Sequence, residues 1–186
     1  MRVLVACETS GAVRRAFAAR GHDAFSCDLL PSDDGSPQHI QGDCRPVIEQ
    51  GWGLIVAHPP CTHLAVSGNR WHAGTQKRLD ASRFVTDLAD LMTCHANAWA
   101  IENPVGALST LWRKPDQYVQ PWQFGHGETK KTGLWLHNLP PLRPSNVVDG
   151  REQRVWRMGP SPERWKERSK TYAGIAEAMA EQWGSL

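Results

Sequence analysis

Short apolar segments alternate along the first hundred residues with helical patterns and polar turns. Residues 11–21 and 75–95 place apolar side chains at helical spacing, which predicts two helices. The strand candidates between them are short, apolar and followed by polar or turn residues: residues 2–7, 22–28, a segment ending at 42–43, 53–57 and 99–101. Strands that alternate with helices predict an α/β fold with a parallel sheet.

The pattern changes after residue 110. Residues 118–124 and 132–137 predict the two strands of a hairpin, and residues 172–183 predict a closing helix. From residue 143 to residue 170 there are eight Lys or Arg and four Asp or Glu, a local charge of +4 in a chain of +2. The chain is therefore divided into three predicted parts: a core of residues 1–142, a basic connector of residues 143–170, and residues 171–186, whose helix packs back on the core.

Composition narrows the class of protein. With 186 residues, 40% hydrophobic and 22% charged, the chain fits a folded domain and excludes disordered, collagen-like and coiled-coil proteins. No apolar run approaches the ~20 residues that cross a bilayer, and the acid Glu8 interrupts any signal-peptide core. The five cysteines form no Cys-x-x-Cys pair, and their odd number fits reduced thiols. We therefore expect a cytoplasmic protein without a membrane partner.

Polar side chains follow four of the predicted strands: Glu8, Asp28, residues 58–63 and Glu102. Ligands of parallel α/β sheets bind at the carboxyl ends of the strands, so these positions predict the functional site. A lone cysteine such as Cys61 is more often a small buried hydrophobe. The acid Glu102 at the end of the next predicted strand favours a catalytic role for Cys61, because a thiol beside an acid suits nucleophilic attack on an electron-poor ring.

In these residues the chain resembles the cytosine carbon-5 DNA methyltransferase family. The segment Pro59-Pro60-Cys61 resembles the catalytic loop of that family, and Glu102-Asn103-Pro104 resembles its Glu-Asn-Val element. Asp28, Gly42-Asp43 and the closing helix appear in the family's order. More narrowly, the chain resembles the compact methylase-like proteins of phage genomes, which also have segments such as residues 120–126 and Thr171-Tyr172.

The resemblance implies a single Rossmann-like S-adenosylmethionine-dependent methyltransferase sheet with helices on both faces, in a bacterial or phage-infected cell. It implies that Cys61 adds to carbon 6 of cytosine in DNA while Glu102 binds ring nitrogen 3 and the exocyclic amine. Pro60 and Asn103 complete the implied catalytic set. A free cytosine nucleotide as substrate, or a non-catalytic nucleic-acid-binding protein of this fold, are the alternatives.

The cofactor loop matches the family at fewer positions. The family has an aromatic residue and three glycines after the first strand; here only Gly11 matches, and Thr9 and Ala12 take the other glycine places. Asp28 is the implied acceptor for the ribose hydroxyls and Asp43 for the adenine amine, with a turn-forming role as the alternative for each. The complete implied set for S-adenosylmethionine is Cys7, Glu8, Thr9, Ser10, Gly11, Asp28, Leu29, Asp43 and Pro59.

The substrate side departs further from the family. Its Gln-x-Arg-x-Arg element and its long target-recognition region are missing, which allows for a partner that supplies sequence recognition. The stretch 143–170 is a candidate phosphate-contacting arm, with a solvated surface as the alternative. Of the nine tryptophans, Trp71 is expected near the substrate, whereas Trp99 and Trp135 are expected in the core. The candidates for contact with substrate or DNA are Arg70, Trp71, Lys130, Lys131, Arg168 and Lys170.

Two kinds of zinc site and one kind of dinucleotide site are alternatives to this interpretation. A zinc site could draw on His58, Cys61, His63 and Cys94 or His95, but the spacing matches no standard structural zinc site. A zinc deaminase requires Pro-Cys-x-x-Cys after its His-x-Glu, and Leu64 stands where the second cysteine would be. A dinucleotide oxidoreductase requires Gly-x-Gly-x-x-Gly, which the chain lacks. No metal is therefore predicted.

Overall fold

Seven strands form one mixed sheet in the order β3-β2-β1-β4-β5-β7-β6. The structure is a computed structural model, and it describes residues 1–161 and 164–185 apart from the side chain of Trp165. The strands β1 to β5 pair in parallel, and β7 lies antiparallel between β5 and β6. Their bounds are β1 (Arg2–Ala6), β2 (Asp23–Asp28), β3 (His39–Gln41), β4 (Trp52–Ala57), β5 (Ala96–Pro104), β6 (Gln117–Val119) and β7 (Thr132–His137).

Helices connect the strands and close the chain. Thr75 caps the longest one by accepting a hydrogen bond from the backbone of Arg78, as expected at a helix start. The helices are α1 (Ala12–Ala18), α2 (Cys44–Ile48), α3 (Asn69–His72), α4 (Gln76–His95), α5 (Leu108–Leu111), α6 (Arg154–Arg157), α7 (Arg164–Ser169) and α8 (Ala173–Trp183). Within the described parts of the chain, no helix combines the length and the apolar character needed to cross a membrane.

The sheet separates two hydrophobic cores. Successive residues of β1 point to opposite faces, so Val3 and Val5 enter one core while Leu4 and Ala6 enter the other. Helices α1 and α8 cover the first face, and α2 and α4 cover the second. The predicted α/β class with helices on both faces of the sheet is therefore confirmed.

Several element boundaries differ from those predicted. The strand predicted for residues 99–101 extends over all of Ala96–Pro104, because β7 pairs with its second half. The strand predicted for residues 118–124 is wrong after Val119, where Pro121–Gln123 forms a short 3-10 helix. Proline at the first position of this turn cannot donate a ladder hydrogen bond. The short helices α2, α3, α5, α6 and α7 were not predicted.

Buried tryptophans tie loops and helix ends to the sheet. Trp52, Trp99, Trp135 and Trp183 are buried, which confirms the core positions expected for Trp99 and Trp135. Each buried indole N–H donates a hydrogen bond of 2.8 or 2.9 Å, and three of the four acceptors are backbone carbonyls. The indole therefore buries a large apolar ring without leaving its N–H unpaired.

The strand order reverses direction between β1 and β4. From β1 the chain builds outward through β2 to β3, whereas from β4 it builds outward the other way to β5. In sheets of this kind the crevice for a ligand lies at the reversal, beyond the carboxyl ends of the two strands. The loops after β1 and β4 meet there, since the backbone N–H of His58 donates to Ala6 at 2.9 Å.

Candidate active site

The predicted nucleophile and the predicted acid meet at the carboxyl edge of β4 and β5. Ala57, the last residue of β4, lies beside Ile101 of β5, so the segment leading to Cys61 leaves the sheet next to Glu102. Burial raises the pKa of the Cys61 thiol, and the negative charge of Glu102 raises it further. The two groups are thus close enough to interact, as the order of the strands predicted.

Hydrogen bonds from two neighbouring elements hold the loop that carries Cys61. The buried Asn103 donates from Nδ2 to the carbonyl of Pro59 at 2.9 Å, and Arg78 of α4 donates from Nε to the carbonyl of His63 at 2.8 Å. The carbonyl of Cys61 accepts from the backbone of Leu64 and Ala65, both at 2.9 Å. Asn103, predicted as part of the catalytic set, acts in this structure by fixing the backbone before Cys61.

The backbone of the loop after β5 is in direct contact with the backbone of the loop that carries Cys61. Ala65 forms a β-bridge with Gly106, and the backbone N–H of Ala107 donates to Leu64 at 2.8 Å. A Cβ at position 106 would lie 2.0 Å from the carbonyl oxygen of Leu64. Only glycine therefore permits the approach that places the Cys61 loop beside β5.

His58 is a site residue that the sequence analysis considered only as a zinc ligand. Its Nδ1 lies 2.8 Å from Oε2 of Glu102, and the two side chains are 9% and 11% exposed. Burial alone would lower the pKa of His58, but the hydrogen bond and charge of Glu102 outweigh it and raise that pKa. Burial likewise opposes the charge of Glu102, yet His58 lowers the pKa of the carboxyl overall. Each partner therefore favours the charged form of the other.

Two of the predicted substrate residues, Lys130 and Arg168, act electrostatically on the reactive groups. The charge of Lys130 favours the ionised forms of both Cys61 and Glu102, and Arg168 does the same for Cys61. Gln120 positions Lys130 by accepting a hydrogen bond of 3.0 Å from its backbone N–H. These two positive charges partly offset the effect of burial and of Glu102 on the thiol.

Helix α7, part of the basic stretch 143–170, crosses the carboxyl edge of the sheet. Lys166 forms an ion pair of 2.8 Å with Asp33 of the loop after β2, and Arg168 donates to the hydroxyl of Ser67 at 3.4 Å. The carbonyl of Lys170 accepts from Nζ of Lys130 at 3.0 Å. The stretch thereby touches both the predicted cofactor side and the catalytic side of the crevice.

The remaining predicted substrate residues lie further out. Arg70 stacks over Trp71, at 5.0 Å from its ring, on the short helix α3 that follows the Cys61 loop. Trp71 is 69% exposed, so its indole is available for stacking. Lys131 lies over the ring of Tyr118 at 4.3 Å, and Nζ of Lys170 pairs with Glu167 at 2.6 Å. These contacts do not bring Lys131 or the Lys170 side chain to Cys61.

The loop after β1 is organised around the buried side chain of Glu8. Its carboxylate accepts hydrogen bonds from the backbone of Val13 at 2.8 Å and of Arg14 at 3.3 Å, and from the hydroxyl of Ser10 at 3.2 Å. These backbone N–H groups belong to the first turn of α1. A carboxylate from the chain itself therefore occupies the position where a phosphate of a bound nucleotide would sit.

Cys7 and Gly11 complete this loop, and both have left-handed backbone conformations. Sγ of Cys7 lies 4.0 Å from Sγ of Cys44; this hydrogen bond, together with burial, raises the pKa of Cys7 well above its ordinary value. A Cβ at Gly11 would lie within 3 Å of the side chains of Arg14, Arg15 and Asp34, and its φ of +64° also favours glycine. The carbonyl of Thr9 accepts from Asp33 at 2.9 Å.

The two acids predicted to bind the cofactor differ in the hydrogen bonds that their carboxylates accept within the chain. Asp28, at the end of β2, accepts a hydrogen bond from the backbone of Leu30 at 2.9 Å, and the adjacent Leu29 is 73% exposed. Asp43 caps α2, and both of its carboxylate oxygens bond to the guanidinium of Arg45, which lowers its pKa. Asp28 forms a turn and Asp43 caps a helix, in keeping with the alternative role predicted for each. Their roles in cofactor binding stay predictions.

The zinc alternative finds no geometric support in the described residues. His58 is paired with Glu102, and Nδ1 of His63 faces Nδ1 of His72 at 3.3 Å. Over residues 1–161 and 164–185, no three His, Cys, Asp or Glu side chains are grouped so that they could hold a metal ion.

Comparisons with known proteins find similarity among solved structures but not among sequence families or curated proteins. No protein-family model matches the sequence, and no curated protein matches it. The chain is similar to the crystal structure of S. pombe Dnmt2 methyltransferase, with a TM-score of 0.47 and 15% sequence identity. The alignment covers 84% of this chain and 53% of that one, so the chain spans about half the length of that structure.

Proposed function

We propose that the protein is an S-adenosylmethionine-dependent methyltransferase that modifies carbon 5 of cytosine in DNA. The observation that carries the proposal is the meeting of Cys61 and Glu102 at the carboxyl edge of adjacent parallel strands, where the charges of Lys130 and Arg168 favour the thiolate. The reaction needs a nucleophile for the pyrimidine ring, a carboxylate for its nitrogen side and cations for a neighbouring phosphate. Cys61 is the candidate nucleophile, Glu102 the candidate carboxylate, and Lys130 and Arg168 the candidate cations.

The loop after β1 supports the choice of cofactor. Glu8 takes the amide groups at the start of α1, which is where a bound dinucleotide would place its pyrophosphate. This arrangement favours a cofactor without a phosphate at the helix, and S-adenosylmethionine meets that condition. The second carboxylate oxygen of Asp28 is the candidate acceptor for ribose hydroxyls, and the exposed Leu29 offers an apolar surface for the adenine ring.

In the proposed reaction the thiol of Cys61 gives its proton to solvent water, and its sulfur forms a bond to carbon 6 of cytosine. The π electrons of the C5–C6 bond move toward carbon 5, which then takes the methyl group. When bound, S-adenosylmethionine supplies that group as an electrophile. Loss of the proton from carbon 5 restores the double bond and returns the C6–S electron pair to Cys61.

Glu102 acts on the opposite side of the ring. Its carboxylate accepts from the exocyclic amine, and it stabilises ring nitrogen 3 once that atom carries a proton in the adduct. In duplex DNA the cytosine first has to leave the base stack, at a cost of a few kcal/mol. The exposed Trp71, stacked with Arg70 near the Cys61 loop, is the candidate platform for a base beside the displaced cytosine.

An assay with labelled S-adenosylmethionine tests the proposal directly. Duplex DNA, single-stranded DNA and dCMP are incubated separately with the protein, and the nucleosides are then analysed by mass spectrometry. We expect label in DNA as 5-methylcytosine. Label in dCMP alone would replace DNA by a free nucleotide as substrate. Binding of DNA without transfer to any substrate would contradict the enzyme and support the non-catalytic alternative.

The cation beside Cys61 predicts a change in the salt dependence of DNA binding. Each phosphate contact contributes about 0.9 to the slope of log affinity against log salt for duplex DNA, so Arg168→Gln should lower the slope by about that amount. Fluorescence anisotropy at several salt concentrations measures it. Arg20→Gln is the matched control, because Arg20 pairs with Glu181 of α8 at 3.3 Å and lies after α1. Equal slopes for Arg168→Gln and the wild type would remove Arg168 from the phosphate contacts.

A further inference from the structure

The ring of His58 contacts the carboxylate assigned to the pyrimidine. His58 follows β4 directly and Glu102 follows Ile101, the partner of Ala57, so the two residues continue the register of β4 and β5. Nδ1 of His58 lies 2.8 Å from Oε2 of Glu102. The other ring nitrogen, Nε2, is buried and has no hydrogen-bond partner in the described parts of the chain. The polar contact of the imidazole is therefore with Glu102.

Charged groups from three other elements face His58. Glu102 of β5 and Glu8 of the loop after β1 favour the imidazolium, whereas Lys130 before β7 and burial oppose it. The acids prevail, so the pKa of His58 lies above its ordinary value of 6.5. In return, His58 is the largest influence that lowers the pKa of Glu102, which burial would otherwise raise above 4.5. Each partner keeps the other ionised in a buried setting.

We propose that His58 is a positioning residue that holds Glu102 as an oriented, ionised carboxylate toward the pyrimidine. The inference rests on the proposed function, because that function assigns the pyrimidine to Glu102. His58 holds Oε2, and the side chain of Thr132 also hydrogen-bonds to this carboxylate. A carboxylate has about four acceptor positions, so acceptor capacity remains for the base. An anionic oxygen in this place attracts the exocyclic amine of cytosine and repels the carbonyl that thymine carries at the same position.

The ionisation of Glu102 can be measured without substrate or cofactor. In protein labelled with ¹³C at the glutamate carboxyls, NMR follows each carboxyl with pH, and Glu102→Gln identifies the signal of Glu102. We expect this signal to titrate below 4.5 in the wild type and at higher pH in His58→Gln, because burial is then opposed by Lys130 and Thr132 without the larger effect of His58. His58→Asn serves the same test if the glutamine variant does not fold. An unchanged titration in these variants would overturn the inference.

A control and a kinetic measurement separate positioning from packing. His137→Gln is the matched control, because His137 stacks on Trp99 at 5.5 Å and lies at the far end of β7; it should leave the Glu102 signal unchanged. The ratio of wild-type to His58→Gln kcat/KM should be about tenfold or more at acidic pH and narrow as pH rises, because Glu102 then ionises in both proteins. The KM for DNA should change little.

The possible failures have different meanings. A ratio that stays constant over the whole pH range would reduce His58 to a packing role and overturn the inference. An inactive wild type would contradict the proposed methyl transfer, and the NMR titration would still decide whether His58 keeps Glu102 ionised.

Discussion

Cys61→Ser is expected to reduce methyl transfer to cytosine by about 10³-fold or more, with no comparable change in DNA affinity. A serine hydroxyl has a far higher pKa than a thiol and is a much weaker nucleophile toward carbon 6. The substitution is nearly isosteric and the side chain is only partly buried, so the melting temperature should change little. The measurement is the initial rate of label transfer, with folding checked by circular dichroism.

A second measurement isolates the covalent step. An oligonucleotide with fluorine at carbon 5 of the target cytosine has no proton to lose at that carbon, so the adduct cannot resolve. Wild-type protein and cofactor should then give a covalent complex that survives denaturation, and Cys61→Ser should give none. Cys94→Ser is the matched control, because Cys94 is exposed near the end of α4. Full activity of Cys61→Ser would refute the thiolate mechanism.

Local patterns predicted the elements that bury a continuous apolar stripe. The strands at residues 2–7, 22–28 and 53–57, and the long helix from residue 75, are formed within one or two residues of their predicted bounds. The failures depend on tertiary contacts. The strand at residues 99–101 became longer because β7 supplies its hydrogen-bonding partners, and no feature within that segment encodes this pairing. Short helices such as α2 and α7 have too few residues for a periodic signal.

In the site, too, local sequence patterns predicted some residues, whereas others depend on tertiary contacts. Cys61 and Glu102 could be predicted to lie together because each follows a strand of a parallel sheet, and such strands end at one edge. The pair of His58 and Glu102 was missed, although the register of two parallel strands contains the signal: both residues come directly after the paired positions Ala57 and Ile101. The position of Arg168 had no such signal, because the path of α7 across the edge depends on contacts such as Lys166 with Asp33.

Gly106→Ala is expected to lower methyl transfer by about 10²-fold while most of the protein stays folded. The new Cβ would lie 2.0 Å from the carbonyl oxygen of Leu64 and 3.0 Å from Cα of Ala65, so one of the two backbones must move. Leu64 belongs to the segment that carries Cys61; it is fully buried, and its carbonyl accepts a hydrogen bond from the backbone of Ala107 at 2.8 Å. A movement of the Leu64 backbone therefore displaces the segment that carries Cys61. A displacement of about 1 Å at a reacting group costs about 10²-fold in rate.

The effect on stability should be smaller than the effect on rate. Overpacking of this kind costs about 1–3 kcal/mol, which lowers the melting temperature of a chain of this size by about 2–12 °C. Rates measured well below the melting transition therefore report the geometry of the loop and not the fraction of unfolded protein. Gly159→Ala is the matched control, because Gly159 has an ordinary backbone conformation and no atom of the described residues lies within 4 Å of an added Cβ. If Gly106→Ala kept the wild-type rate, the close approach of the two loops would have no part in placing Cys61, and the thiol would have to be positioned by Asn103 and Arg78 alone.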